Sequence, residues 1–173
     1  PPRVISLSLP EAASRCPSGL FQECSMNRVL ISLFTDASFS HKKREGGWAF
    51  WAKKKNITAW GGGKFKRQLR SSNEAELCAV ANAVVELEKR RILTANCHVL
   101  IQTDSDHTVR AFSKSPPTMS PLEIEARQIV VNRAKHNQWS FNLRHIKGHS
   151  SNSAKRFIVN NLVDHHAGRY SRS

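Results

Sequence analysis

Two apolar runs in this chain end in the same dipeptide. VLISLFTDAS (29–38) reaches Thr35-Asp36, and HVLIQTDSD (98–106) reaches Thr103-Asp104. A carboxylate at a strand end is commonly a turn former, but two further acids change that reading. Glu76 lies near the start of SSNEAELCAVANAVVELEKR, where Ser71 and Glu74 have the spacing of a helix capping box. At about 100° per residue, Glu76 shares a helix face with Ala79, Val80, Ala83 and Leu87, the face that should meet the core. An ionised carboxylate there is costly unless something pairs with it. Asp164, in VNNLVDHHAGR, is the fourth candidate, one helical turn after Asn160. Four carboxylates in one crevice repel one another, so the arrangement makes sense mainly with divalent cations bound. Hard oxygen ligands indicate magnesium or manganese.

The elements that must position these groups are legible in outline. A strand over 29–35 leads to a basic turn containing Gly46-Gly47, then to strands WAFWAKKK (48–55) and ITAWGGG (57–63), which read as a meander. A long helix starts near Ser71; Glu86 and Glu88 on it are expected to be surface charges. A strand over 98–103, a short helix near 106–113, the breaker SPPTMSP, a helix over 121–136, strand WSFNLRHI (139–146), a loop and a last helix over 160–170 complete the order. Strands separated by helices imply crossovers and parallel pairing with the first strand. The expected class is α/β, a five-stranded mixed sheet flanked by helices. Open sheets of this kind place ligands at the carboxyl ends of their parallel strands, where Asp36 and Asp104 are expected.

Charge says what kind of partner to expect. The 173 residues carry 27 Lys and Arg against 13 Asp and Glu, a net +14. Residues 1–27 are neutral, so the whole excess falls in 28–173, and residues 41–70 hold ten basic side chains against the single acid Glu45. A polyanion partner follows. Residues 1–27, Ser-rich, Pro-containing and without periodicity, read as a flexible extension; residues 28–173 read as one folded domain, with Met26 standing before it as a start residue would. The four cysteines lack paired metal-site spacing and disulfide-scaffold density, and no apolar run approaches the roughly 20 residues that span a bilayer. A soluble protein of a reducing compartment, the cytoplasm, is expected.

Five fragments in order resemble the type 1 ribonuclease H domain over nearly all of residues 28–172: FTDAS, SSNEAEL, QTDSD, IKGHS and NNLVDHHA. The resemblance implies endonucleolytic cleavage of the RNA strand of an RNA/DNA hybrid by two magnesium ions, with manganese as the substitute, leaving a 5′-phosphate and a 3′-hydroxyl. It assigns Asp36 as the ligand bridging both metals, Glu76 and Asp104 to one site, Asp164 to the other, and His149 to proton movement or product departure. It further implies substrate contacts at Ser38, Ser71, Ser72, Asn73 and Asn160, with Ser71 at the position that holds a phosphate of the DNA strand. Paired metals about 3.5 to 4 Å apart would activate the attacking water and stabilise the leaving oxygen of an in-line displacement. The implied chain is a monomer, or one part of a larger polymerase or polyprotein, with no membrane partner.

The departures from the family pattern are local. Ala37 stands where many relatives have Gly, and Asp106 where some have Gln. SPPTM leaves no room for the basic helix and loop that form a substrate handle in some members. The segment between His149 and Asp164 is long and brings Lys155 and Arg156. His145, His165 and His166 read as structural or surface residues, and Trp48, Trp51 and Trp60 as core or sheet-face residues, with Trp48 and Trp60 as secondary candidates for substrate contact. An integrase-type site is excluded, because its Asp-x35-Glu spacing from Asp104 lands on Ser140; a proofreading exonuclease would want Glu where Ser38 stands. The remaining alternative is a catalytically silent, nucleic-acid-binding module of the same fold within a larger polymerase or assembly.

Overall fold

The computed structural model describes residues 28–146 and 155–172. Its elements follow in the order β1 (Val29–Ser40), β2 (Glu45–Lys54), β3 (Ile57–Lys64), α1 (Ser72–Lys89), β4 (Cys97–Thr103), α2 (Asp106–Ala111), α3 (Pro121–His136), β5 (Ser140–His145) and α4 (Lys155–Arg172). One five-stranded sheet has the order β3-β2-β1-β4-β5. The β1-β2-β3 meander is antiparallel, whereas β4 lies parallel to β1 and β5 parallel to β4. This is the mixed sheet flanked by helices that the element order implies. The readings for residues 1–27 and for His149 fall outside the described residues.

Strand alternation divides the core between two faces. Ile31 and Leu33 of β1, Phe50 and Ala52 of β2, and Val99 and Ile101 of β4 pack under α1 through Leu77, Val80, Val84 and Leu87. Phe34 and Ala49 point the other way and meet Val163 and Ala167 of α4. Helix α1 buries Ala79, Val80, Ala83 and Leu87, the stripe that its 3.6-residue period places together.

Three boundaries differ from expectation. Gly46 and Gly47 are not in the turn but in β2, opposite Phe39 and Ser38. The reason is proximity, since a Cβ on Gly47 would lie 2.5 Å from the Ala167 carbonyl oxygen and one on Gly46 would lie 2.5 Å from that of Ser38. Backbone passes too close for any side chain. The turn is formed by residues 41–44 instead, with Arg44 in the left-handed region at φ 53. Helix α4 starts at Lys155, five residues before the expected 160.

The third difference bears on the site. β1 runs on to Ser40, because its pairing with β2 continues to Ser40↔Glu45, while its pairing with β4 stops at Phe34↔Gln102. Asp36 therefore stands inside a strand, just past the point where β1 leaves β4. The two strands part there, and the gap is the crevice that an open α/β sheet offers at a switch point.

Candidate active site

Asp36 and Asp104 stand on the two sides of that gap, the first within β1 and the second one residue beyond β4. Glu76 reaches it from the start of α1, and Asp164 from α4 on the opposite face. Oxygen atoms of Asp36, Glu76 and Asp104 all lie within 4.8 Å of one another. Asp164 is half-buried and close enough for its charge to act on Asp36. The structure thus brings together the four acids singled out by sequence, three of them tightly.

The electrostatics are those of a site short of positive charge. Asp36 is buried and accepts a hydrogen bond from the Ala37 N–H at 2.8 Å. Burial, then the charges of Asp104 and Asp164, push its carboxyl up to about 8, against the lowering effects of Ala37 and Glu76. Burial also raises Glu76 well above the ordinary carboxylate range, and Asp36 and Asp104 add to the effect. Oε2 of Glu76 is buried without a hydrogen-bond partner among the described residues. A buried, unsatisfied carboxylate oxygen facing two other carboxylates fits a small divalent cation: the donors are all oxygen, and a bound ion would satisfy the orphaned atom and cancel the repulsion.

The support of Glu76 begins in the capping of α1. Ser71 is the N-cap, and its Oγ accepts from the Glu74 N–H at 3.2 Å. Glu74 does not return the bond to Ser71 as a capping box would. Its carboxylate accepts instead from the Arg70 N–H at 2.6 Å and from the Ser120 hydroxyl at 2.7 Å. Ser120 caps α3 in a complete box with Glu123, whose other carboxylate oxygen lies 2.7 Å from His107 Nε2 on α2. Three helix starts, those of α1, α3 and α2, are joined in one polar network. Sequence reasoning missed this network, although SPLE carries the capping-box signal for its α3 half.

The remaining candidates divide by position. Ser38 is half-buried and two residues past Asp36, so it faces the same side of β1. Ser71 is half-buried, and Ser72 and Asn73 are exposed in the first turn of α1. Asn160 lies in α4, with its side chain outside the described residues. His145, read from sequence as structural or surface, ends β5 opposite Thr103, and its Nε2 lies 3.0 Å from the backbone carbonyl oxygen of Asp104. It holds the backbone that carries a candidate ligand. Only strand register reveals that role.

Residues 28–172 match the RNase H family. The chain belongs to that family. No curated protein matches it. Three solved RNase H structures resemble it at low identity. The N-terminal RNase H domain of rv2228c from Mycobacterium tuberculosis, studied as a fusion with maltose binding protein, is 14% identical with a TM-score of 0.59, over 83% of this chain and 94% of that one. RNase H1 from the halophilic archaeon Halobacterium salinarum NRC-1 is 12% identical with a TM-score of 0.60, over 81% and 98%. LC11-RNase H1, in complex with an RNA/DNA hybrid, is 15% identical with a TM-score of 0.61, over 80% and 97%. At these identities the likeness concerns the fold, which is the ribonuclease H-like fold.

Proposed function

We propose that this chain hydrolyses the RNA strand of RNA/DNA hybrids by a two-metal-ion mechanism, giving 5′-phosphate and 3′-hydroxyl ends, with magnesium as the natural ion. The observation that carries the reading is the approach of Asp36, Glu76 and Asp104 to within 4.8 Å in a chain of net charge +14. Such a crevice repels a phosphate until cations neutralise it, and a basic surface around it then attracts the polyanion. Membership of the RNase H family and the hybrid bound by the LC11 relative support the choice of substrate.

Asp36 would contact both ions, Glu76 and Asp104 would complete one site, and Asp164 the other. Once bound, such ions lower the pKa of a water and neutralise the leaving oxygen of an in-line displacement. His149 would pass a proton at the leaving 3′-oxygen. The Ser71 oxygen already accepts from Glu74, which leaves its O–H free to donate to a phosphate oxygen at the helix N-terminus. Ser72 and Asn73, exposed beside it, would meet the 2′-hydroxyl by which a protein tells RNA from DNA, and Ser38 and Asn160 would add further contacts.

The deciding experiment incubates the purified chain with end-labelled RNA/DNA hybrid, duplex DNA and duplex RNA, with magnesium or with chelator. Cleavage of the hybrid's RNA strand alone, and only with metal, is expected. Metal-independent cleavage, or equal cleavage of all three duplexes, would overturn the reading. Binding of the hybrid without cleavage would identify a silent module.

A further inference from the structure

The sheet ends at β3, and its outer edge carries an aromatic side chain where solvent would favour a polar one. Trp60 is 59% exposed. One face of its indole stacks on His166 of α4, with ring centres 5.5 Å apart and planes 30° from parallel. Beneath the pair lies a cavity of only about 20 Å³, closed by Phe50, Leu162 and Val163. That is room for one water at most, so nothing larger enters below. The Arg90 guanidinium donates to the Trp60 carbonyl oxygen at 3.0 Å and fixes the backbone of the edge there. The result is a packed platform that leaves more than half of Trp60 open to solvent, with His166 as its ring partner among the described residues.

Cations flank it on both sides. Lys53 is exposed and opposite Thr58 while Trp51 is opposite Trp60, so Lys53 is the diagonal neighbour of Trp60 on the same sheet face, about 7–8 Å away. Arg169, also exposed, follows His166 by three residues and shares its side of α4. The surrounding elements offer little unpaired opposing charge: β2 and β3 contain Glu45 as their single acid, bound to Lys64 at 3.3 Å, Glu86 of α1 is bound to Arg90 at 2.8 Å, and α4 contains Asp164 alone, which faces the crevice.

We infer that Trp60, backed by His166 and flanked by Lys53 and Arg169, is a binding site for single-stranded nucleic acid. A base stacks on the exposed indole while the cations hold the adjoining phosphates, the combination by which proteins bind unpaired strands without reading sequence. Paired bases inside a duplex show their edges and not their faces, so a hybrid cannot use the platform but a single-stranded extension of one can. The site extends the hybrid reading proposed above, and its test needs no cleavage.

The test uses the full chain in chelator, with a fluorescein-labelled oligothymidylate of roughly ten nucleotides, within the usual site sizes. An abasic strand of equal length supplies the same phosphates without bases, and anisotropy reads both. Oligothymidylate is expected to bind more tightly than the abasic strand. Trp60→Ala should weaken the oligothymidylate by about 10-fold, within the range for losing one stacked base, and the abasic strand hardly at all. Trp60→Phe, which keeps a ring, should recover most of the affinity. Equal affinity for the two strands, an unchanged affinity in Trp60→Ala, or a Trp60→Phe protein as weak as Trp60→Ala would each overturn the site. A chain that binds oligothymidylate through Trp60 yet leaves hybrids uncut would uphold it and defeat the cleavage reading.

Discussion

Asp36 is the residue at which fold and chemistry pull hardest against each other. Without cations its carboxyl is pushed up to about 8 by burial and by two neighbouring acids, so the native state keeps a proton that the unfolded chain releases near pH 4. Between those values the native state binds more protons, and this residue therefore lowers stability as pH rises. Asp36→Asn should abolish cleavage and yet, in chelator, melt higher than the parent at pH 8 by about 2–4 °C for each kcal/mol relieved. Thermal melts at pH 5 and pH 8 check this, and the advantage should shrink at the lower pH. The same logic separates ligand from helper. His149→Ala should slow single-turnover cleavage by roughly 10 to 1,000-fold, in keeping with general acid–base assistance, while magnesium binding by calorimetry stays near the parent's. Asp104→Asn should cost far more and weaken the metal as well. Asp164 carried no local signal of its own, but the grouping of Asp36, Glu76 and Asp104 was legible in the sequence, because each stood at the end of an apolar run or on a helix face where a charge needed a reason. Their separations were not, since they follow from where β1 parts from β4.

At the scale of elements, Glu88 shows what sequence periodicity misses. It points away from the sheet, as the helix wheel requires, but it does not point into water, because α3 lies on that side. Its carboxylate accepts hydrogen bonds from Asn137 at 2.8 Å, from the buried Trp139 indole at 2.9 Å, and from Arg133. Burial pushes Glu88 up, and the three donors more than offset it, leaving the group below its ordinary value. Glu88→Ala would strip the acceptor from all three and should cost about 1–3 kcal/mol in urea unfolding at pH 7. The stabilisation from Glu88 should also fade as pH falls through its lowered pKa. Gly47 carries a different lesson. A Gly-Gly pair beside a basic run reads as a turn, yet Gly46 is kept bare by the Ser38 carbonyl of β1 and Gly47 by α4, which lies against it from a position over 100 residues later in the chain. Gly47→Ala should destabilise by about 1–3 kcal/mol, the usual cost of forcing extra volume into packed structure, and a urea midpoint measures it. Strand identities and order could be read from local pattern, whereas these two contacts are tertiary and leave no local signal.

Across the whole molecule, the basic runs that look alike in sequence serve different places. Lys53, Lys54 and Lys55 sit at the end of the sheet away from the crevice: Lys54 pairs with Ile31, five residues along β1 from Asp36, roughly 17 Å at strand spacing. The Lys54 ammonium is occupied, donating to the Ile92 carbonyl oxygen at 2.6 Å. The run over 41–44 lies at the other end. Backbone bonds from Leu69 to Arg44, at 3.2 Å, and from Phe65 to Gly46, at 2.9 Å, tie that turn to the second basic segment, 64–70, which leads directly into Ser71 and the start of α1. Two separate runs thus form one basic surface that leads to the start of α1, from which Glu76 enters the crevice, and among the described residues no basic helix stands between α2 and α3. Each cation that neutralises a phosphate of duplex nucleic acid releases condensed counterions and adds about 0.9 to the slope of log affinity against log salt. Replacing Lys42, Lys43 and Arg44 with Ala in an Asp36→Asn background, which binds without cutting, should make that slope shallower by about 2 to 3 for a blunt RNA/DNA hybrid. Replacing Lys53 and Lys55 should change it by less than about 1, since a blunt hybrid in the crevice has no need of the far end. Titrations between roughly 50 and 200 mM salt measure both. Equal losses from the two replacements would mean that the hybrid lies along the length of the sheet and not across its crevice end.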